Sequence, residues 1–140
     1  MAETVWSACS LRRTPCRAAV LRCLSEQLTA LSEKELSIKL AGEFDRTTFY
    51  RTLRTLEQKG IIHRIVVDPA IVKYALSSEL THKAPHGHFH CKECGKVWCL
   101  EDIAPVSYIL PRGAEADDEE FIVHGRCIAC ISREKREALR

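Results

Sequence analysis

The sequence predicts an α+β fold with an N-terminal winged helix-turn-helix and a small C-terminal α/β domain that holds a four-cysteine zinc site. Two observations predict this fold class. Three short helices with capping signals precede two strand-like runs joined by a turn, and two C-x-x-C pairs lie in the second half of the chain. We expect the domains at residues 1–78 and 88–140, with a polar hinge at 79–87 that contains Pro85 and Gly87.

Capping signals and apolar spacing define the first two helices. Thr14 and Pro15 fit the N-cap and the first helical position of one helix. Ser32 and Glu35 fit a capping box that opens a second helix, and Gly42 is expected to end it. The expected buried positions are Val20, Leu21, Leu24 and Leu28 on the first helix, and Leu36 and Leu40 on the second.

A third helix and a hairpin complete the winged-helix pattern. Asp45 is expected to cap a helix over residues 46–59, which Gly60 ends. Its apolar face consists of Phe49, Leu53 and Leu56 at helical spacing. Strand-like runs at 61–67 and 72–76 flank a turn at 68–71, so they are expected to pair as a hairpin.

The two C-x-x-C pairs predict a structural zinc site. Cys91 with Cys94, and Cys127 with Cys130, supply four thiolates, which complete a tetrahedral shell without an open position. The second pair begins 33 residues after Cys94, whereas a compact zinc ribbon has a gap of about 15–20 residues. The site is therefore expected to join distant segments: strand-like stretches within 88–100 and 121–126, and a charged helix at 128–139 after an exposed loop at 111–120. Buried free thiols beside a solvated histidine-rich loop, or a thioredoxin-like centre, are the alternatives.

Composition narrows the class of protein. Residues 1–30 contain no long apolar run, so we expect neither a signal peptide nor a membrane span. Eight cysteines in such a chain indicate cytoplasmic thiols and metal ligands, with Cys9, Cys16 and Cys23 as apolar fillers or surface thiols. Residues 1–80 hold 12 Lys and Arg against 9 Asp and Glu, and residues 81–140 hold 9 against 10. This asymmetry is a weak indication that the first half faces a polyanion.

One face of the third helix has the side chains of a DNA-reading surface. Arginine can contact guanine edges or phosphates, and threonine can contact phosphates or a thymine methyl group. A solvated amphipathic helix is the alternative, but the winged-helix context favours DNA. The expected contacts are Arg17, Thr47, Thr48, Tyr50, Arg51 and Arg54, with Thr55 beside them.

Short segments follow one another in a specific order over residues 14 to 130. They are Thr14-x-x-Arg17, Leu31-Ser32 with Glu35-Leu36, Thr47 to Leu53, Lys59 to Ile62, Tyr74 to Leu76, His86 to Val97, and Gly125-x-Cys127-x-x-Cys130. In this order they resemble the ferric uptake regulator (Fur) family of metal-sensing bacterial repressors. The resemblance implies a cytoplasmic homodimer without catalytic residues, in which the C-terminal domain dimerises. It also implies a structural Zn²⁺ on the four cysteines and a sensory divalent metal near the hinge that controls binding to a pseudo-palindromic operator in double-stranded DNA.

The sequence departs from the Fur pattern at several positions. Ala30 stands where the iron and peroxide sensors of the family often carry a histidine. Cys99 stands where they carry an acidic ligand, five residues after the second knuckle cysteine, and Ala75 replaces an often acidic residue. The chain is also shortened between Val97 and Phe121, which puts any further metal site there in doubt.

The histidine run before Cys91 predicts the regulatory site. His86 and His88 alternate on an extended segment, so both side chains face the same way. Cys99 is a third candidate ligand, and His63 is a fourth because zinc sensors of this family place a ligand there. Glu79, Glu101 and His90 compete for these places. A thiolate with imidazoles favours Zn²⁺, whereas carboxylates with imidazoles suit Fe²⁺ or Mn²⁺.

Other function classes remain as alternatives to a zinc-responsive repressor. Within the same family, the chain could respond to iron, manganese or peroxide. A zinc-dependent hydrolase would need an open metal position and a general base, and neither H-E-x-x-H nor a deaminase motif is present. The third alternative is a thiol redox or metal-storage protein.

Overall fold

The computed structural model describes residues 10–77, 87–100, 107–117 and 119–140. The chain divides into two compact units, Met1–Thr81 and His82–Arg140. Residues 79–86, which make up most of the predicted hinge, lie outside the described residues. Gly87, the last residue of the predicted hinge, begins a strand.

Three helices open the first unit, each at the predicted cap. They are α1 (Pro15–Ser25), α2 (Glu33–Lys39) and α3 (Arg46–Gln58). Thr14 Oγ1 accepts a hydrogen bond from the Arg17 backbone N–H at 3.3 Å. The capping box is formed in both directions, because Ser32 Oγ accepts from the Glu35 N–H and Glu35 Oε2 accepts from the Ser32 N–H. These bonds satisfy N–H groups that have no partner within their own helix.

The core of the first unit lies between these helices and the hairpin. Leu36 and Leu56 are fully buried, and Leu53 is 2% exposed. The apolar stripes of α2 and α3 are confirmed. The predicted burial of Leu28 is wrong: this side chain is 92% exposed, because α1 ends at Ser25 and the helical periodicity that would turn Leu28 inward stops there.

The wing is an antiparallel hairpin of β1 (Ile62–Asp68) and β2 (Ile71–Leu76). Asp68 Oδ1 accepts hydrogen bonds from the backbone N–H groups of Ala70 and Ile71, which fixes the turn. Leu31, in the segment between α1 and α2, exchanges two backbone hydrogen bonds with Tyr74. The wing is thereby attached to the helical part of the unit.

The second unit contains a three-stranded sheet and one helix. The strands are β3 (Gly87–Cys91), β4 (Val97–Leu100) and β5 (Phe121–Gly125), followed by α4 (Ile128–Ala138). The strand order is β4-β3-β5, with β3 antiparallel to β4 and parallel to β5. β3 therefore lies in the centre and leads directly into the first cysteine pair, while β5 leads into the second.

Candidate metal centres and nucleic-acid interface

The four knuckle cysteines converge in the second unit. The Sγ atoms of Cys91 and Cys130 are 3.9 Å apart, those of Cys94 and Cys127 are 3.8 Å apart, and all four lie within 4.8 Å of one another. Four sulfurs bound tetrahedrally to zinc at about 2.3 Å would be about 3.8 Å apart. A disulfide would require an S–S distance of about 2.05 Å. The geometry therefore fits a zinc ion on four separate thiols and excludes disulfides among them.

Local structure brings each pair of cysteines into place. Cys91 ends β3, and the chain folds back because the Gly95 N–H donates to the Cys91 carbonyl oxygen at 2.9 Å. Gly95 has φ +77°, a left-handed conformation that glycine adopts without a steric penalty. Cys127 is the N-cap residue of α4, and Cys130 lies in the first turn of that helix. A C-x-x-C spacing in a tight turn and another at a helix start each present two sulfurs to one point.

Backbone hydrogen bonds and burial shift the pKa values of Cys91 and Cys130 in opposite directions. Hydrogen bonds from backbone N–H groups, that of Cys94 foremost, lower the pKa of Cys91 to about 6. The Cys127 N–H also contributes, with its nitrogen 3.4 Å from Cys91 Sγ. Burial raises the pKa of Cys130 to about 12. A metal that binds both of these thiols would therefore displace the proton of Cys130.

Ion pairs connect the first cysteine turn to α4 and to Arg126, the residue before the N-cap of that helix. Glu93 accepts from Arg126 at 2.9 Å and from Arg133 at 2.7 Å, and Arg126 also pairs with Glu134 at 2.7 Å. These side chains are partly exposed to solvent, so each pair contributes little free energy by itself. Their joint effect is to orient the turn that carries Cys94 against the helix that carries Cys130.

Two of the predicted regulatory ligands, His88 and Cys99, lie side by side on neighbouring strands of the sheet. His88 of β3 is the register partner of Cys99 of β4, so both side chains lie on the same sheet face. His88 is 3% exposed and Cys99 is half-buried. His63 is a half-buried residue of β1 in the first unit, where it pairs with Ala75. His86, together with the competing carboxylates Glu79 and Glu101, lies outside the described residues.

A second histidine pair lies on the same sheet. His90 is the register partner of His124 on β5, and the two Nδ1 atoms are 3.0 Å apart. The rings meet edge to face, with centroids 5.2 Å apart. His124 was missed by sequence reasoning, because no local pattern indicates which strand lies beside β3 or in which register.

The predicted DNA-reading surface lies on the exposed side of α3. Thr47, Arg51 and Arg54 are spaced as neighbours on one helical face, and all three are exposed. Phe49 and Leu56 on the opposite side are buried. Hydroxyl and guanidinium groups are thus presented together on a helix whose other face is anchored in the core.

A groove between α3 and the wing extends this surface beyond the predicted residues. Its lining includes Arg46, Tyr50, Arg54 and Arg64. The Arg46 guanidinium lies over the Tyr50 ring, 5.4 Å from the ring centroid, which orients that phenol. Arg46 and Arg64 were missed by sequence reasoning. Arg46 is adjacent to the predicted face, but Arg64 joins it only through the packing of the wing.

Comparison with known proteins decides the family. A sequence profile described as the ferric uptake regulator family matches residues 8–106, which is well over half of the 140 residues. The chain belongs to the ferric uptake regulator family. It is therefore a metal-responsive transcriptional regulator and not an enzyme, as the sequence motifs predicted.

Relatives within the Fur family include both zinc and iron regulators. The chain is 30% identical to the zinc uptake regulation protein of Escherichia coli (strain K12), over 95% of this chain and 81% of that protein. It is also 30% identical to the ferric uptake regulation protein of Bacillus subtilis (strain 168), over 89% of each. A solved zinc uptake regulator in complex with zinc and DNA superposes with a TM-score of 0.68 at 24% identity, over 96% of this chain and 93% of that one. The predicted α+β fold is confirmed.

Two predicted DNA contacts of this Fur-family chain also serve the helical fold. The Thr48 hydroxyl donates to Asp45 Oδ1 at 2.5 Å, so it reinforces the N-cap of α3. Arg17 Nη1 donates to the Arg12 carbonyl oxygen at 2.6 Å, which ties α1 to the segment before it. No helix among the described residues has the length and apolar character needed to cross a bilayer.

Proposed function

We propose that this chain is a zinc-responsive repressor, a homodimer that binds a pseudo-palindromic operator in double-stranded DNA when a regulatory Zn²⁺ is bound. The observation that carries the proposal is the pairing of His88 with Cys99 across β3 and β4. An imidazole and a thiol on one sheet face form the start of a mixed nitrogen and sulfur site. The proposed ligand set is His86, His88 and Cys99, with His63 as a further ligand from its place in the sequence.

Ligand chemistry supports zinc over harder ions. Thiolates select soft and borderline metals, whereas sites for Fe²⁺ and Mn²⁺ in such proteins are richer in carboxylates. Cys99 occupies the position where an acidic residue is expected in the iron and peroxide sensors of the family. The relationship to the B. subtilis ferric uptake regulation protein keeps an iron or manganese regulator as the second candidate. In that case Glu79 or Glu101 would take the place of Cys99.

A separate, structural Zn²⁺ is proposed on Cys91, Cys94, Cys127 and Cys130. The support is the near-tetrahedral set of sulfur separations. Because all four positions of the metal are filled by protein sulfur, this ion has no room for substrate or water. Its expected role is to fix the ends of β3 and β5 to the start of α4.

Dimer formation is proposed through the second unit. Within the described residues, the outer edge of β5 has no strand beside it. Phe121 and Val123 on that strand are 43% and 39% exposed. An apolar edge strand is a surface that soluble proteins cover with another chain or element. A two-fold dimer would place two α3 helices on two half-sites, which explains why the operator is expected to be pseudo-palindromic.

Thermodynamic linkage connects the metal to DNA binding. If the regulatory metal takes ligands from both units, it binds well in only one arrangement of the DNA-binding part. The metal then shifts the population toward that arrangement, and the affinity for DNA rises by the coupling factor. Coupling free energies of about 1–3 kcal/mol are typical of such systems.

The test is operator binding under metal titration. DNA from the promoters of the protein's own and adjacent genes is titrated with protein in the presence of Zn²⁺, Fe²⁺ or Mn²⁺. We expect Zn²⁺ to raise affinity at the lowest free concentration. His88→Ala should keep the zinc on the four cysteines and remain folded but lose the metal response, and Cys99→Asp should shift the preference toward harder ions. Cys23→Ser is the matched control, since it removes a thiol outside either site.

Two outcomes would contradict parts of this proposal. If Fe²⁺ or Mn²⁺ activates DNA binding at lower concentration than Zn²⁺, the chain is a regulator for that metal. If Cys99→Ser responds to zinc as the unaltered protein does, Cys99 is not a ligand and the argument from ligand softness fails.

A further inference from the structure

We propose that His90 and His124 form a third metal site, a solvent-open pair of imidazoles that binds a borderline divalent ion such as Zn²⁺. The pair lies on β3 and β5, on the opposite face of β3 from Cys91 and in a different row of the sheet from His88 and Cys99. Neither the cysteine motifs nor the histidine run before Cys91 assigns a role to His124.

The geometry of the pair is close to that of two ligands on one ion. The Nδ1 atoms are 3.0 Å apart. Two nitrogens bound tetrahedrally to zinc at about 2.0–2.1 Å would be about 3.3–3.4 Å apart. A contact at 3.0 Å requires one Nδ1 to carry a hydrogen and the other to accept it. A metal ion can replace that hydrogen if the rings separate by a few tenths of an ångström.

One histidine of the pair is buried in the sheet, and the other is exposed to solvent. His90 is 7% exposed and is held in the central strand of the sheet. His124 is exposed on the edge strand β5. An ion between them would keep open positions for water. With two imidazoles and water as ligands, zinc, copper and nickel are favoured over magnesium or calcium.

The pleat of the sheet separates the His90–His124 pair from the four cysteines. Successive side chains of a strand point to opposite faces, so His90 and Cys91 face away from each other. Cys91 packs on the same side as Phe89, next to the other cysteines. His88 shares the face of His90 but lies two residues away, a distance of about 6.6 Å along the strand. Among the described residues, the group of potential ligand atoms that contains His88 and Cys99 includes neither His90 nor His124.

An ion on the His90–His124 pair would also affect the cysteine site, because both histidines lie close to those cysteines in the sequence. His90 immediately precedes Cys91, and His124 lies three residues before Cys127. An ion bound to both histidines would clamp β3 to β5 where each strand delivers its cysteines. We expect it to stabilise the second unit and to slow the loss of the structural zinc to a chelator, because a ligand that binds only the folded state favours that state.

The experiment counts zinc on the full-length protein by equilibrium dialysis, starting with the cysteine site filled. Unaltered protein should take up one zinc at the regulatory site and one more, at higher free Zn²⁺, at the histidine pair. His124→Ala should lose only the zinc at the His90–His124 pair. His88→Ala should lose the regulatory zinc and keep the zinc at the His90–His124 pair. Glu120→Ala, which changes an exposed residue immediately before β5, is the matched control and should bind as the unaltered protein does.

Nitrogen NMR of the imidazole rings during a Zn²⁺ titration identifies the metal ligands directly. The Nδ1 signals of His90 and His124 should both move as the last zinc binds, and the Nδ1 signal of His90 should not move in His124→Ala. The proposal is overturned if His124→Ala binds as much zinc as the unaltered protein, or if His88→Ala removes both ions together. The zinc response of DNA binding is measured in a separate experiment. Failure of the proposed third site therefore leaves the proposed zinc-responsive repressor untouched, and the reverse also holds.

Discussion

Replacing Cys91 with serine should unfold the second unit and leave the first unit folded. The reason is the difference between their apolar cores. In its described part, the core cluster of the first unit contains fourteen buried residues, from the three helices, the wing and the segments that join them. In the described part of the second unit, the corresponding cluster contains only three buried residues, Cys91, Cys127 and Cys130, with Phe89 and Trp98 packed against it.

The magnitude follows from this composition. A fully buried large apolar side chain contributes about 1.5–3 kcal/mol, and ordering each residue costs about 1–2 kcal/mol in backbone entropy. So small a cluster leaves the unit dependent on its metal. Structural zinc contributes about 10–16 kcal/mol in small zinc-bound domains. Cys91 is the thiol with the lowered pKa, and it accepts a hydrogen bond from the Cys127 N–H. A serine hydroxyl there would remove the sulfur that both the metal and this backbone contact use.

The assay is hydrogen exchange of the full-length protein, read separately for residues 15–76 and 87–138. Cys91→Ser should lose protection in β3, β5 and α4 but retain it in α1 to α3. Cys23→Ser is the control, since its half-buried thiol lies in the first unit. Adding a strong chelator to unaltered protein should reproduce the Cys91→Ser pattern. A Cys91→Ser protein with normal protection in β5 and α4 would refute the claim that the metal holds this unit together.

Three further predictions concern the first unit. Arg51→Ala should weaken operator binding by about 1–3 kcal/mol in fluorescence anisotropy, while Lys34→Ala, an exposed basic residue on α2, should change it little. Ser32→Ala removes the side-chain acceptor of the capping box, since the Glu35 N–H loses Ser32 Oγ as its partner, and should cost about 1 kcal/mol, seen as a lower melting temperature of this unit. Burial would raise the pKa of Glu35, but the Ser32 N–H and the Lys73 ammonium outweigh it and leave the pKa lowered. Since the folded pKa lies below the unfolded value, this stabilisation is present above the unfolded pKa and is lost as pH falls through the folded one. Glu35→Gln should therefore flatten the acid side of the stability curve, and an unchanged slope would contradict this reasoning.

Local signals in the sequence were sufficient for the winged helix. Thr14, Ser32 and Asp45 cap the helices that they were expected to cap. Gly60 adopts positive φ directly after the C-cap of α3, as expected, whereas after α2 the residue in that place is Ala41, and Gly42 follows it. These features are decided by hydrogen bonds and backbone conformation within a few residues, so the order of residues alone specifies them. The same holds for the two cysteine turns, whose spacing fixes how each pair of sulfurs faces a metal.

Contacts between distant segments were decided only by the tertiary structure. The sequence did not indicate that β5 would lie parallel to β3, and that register alone brings His124 to His90 across 34 residues. It also did not indicate that Arg64 of the wing would border the same groove as Arg54 of α3. A strand pattern shows which side chains share a face but not which strand lies beside it, because pairing depends on how the whole sheet and its connections pack. The chain by itself therefore determined its caps, turns and metal-binding motifs, while the packing of the sheet and of the wing determined which of the remaining polar side chains meet.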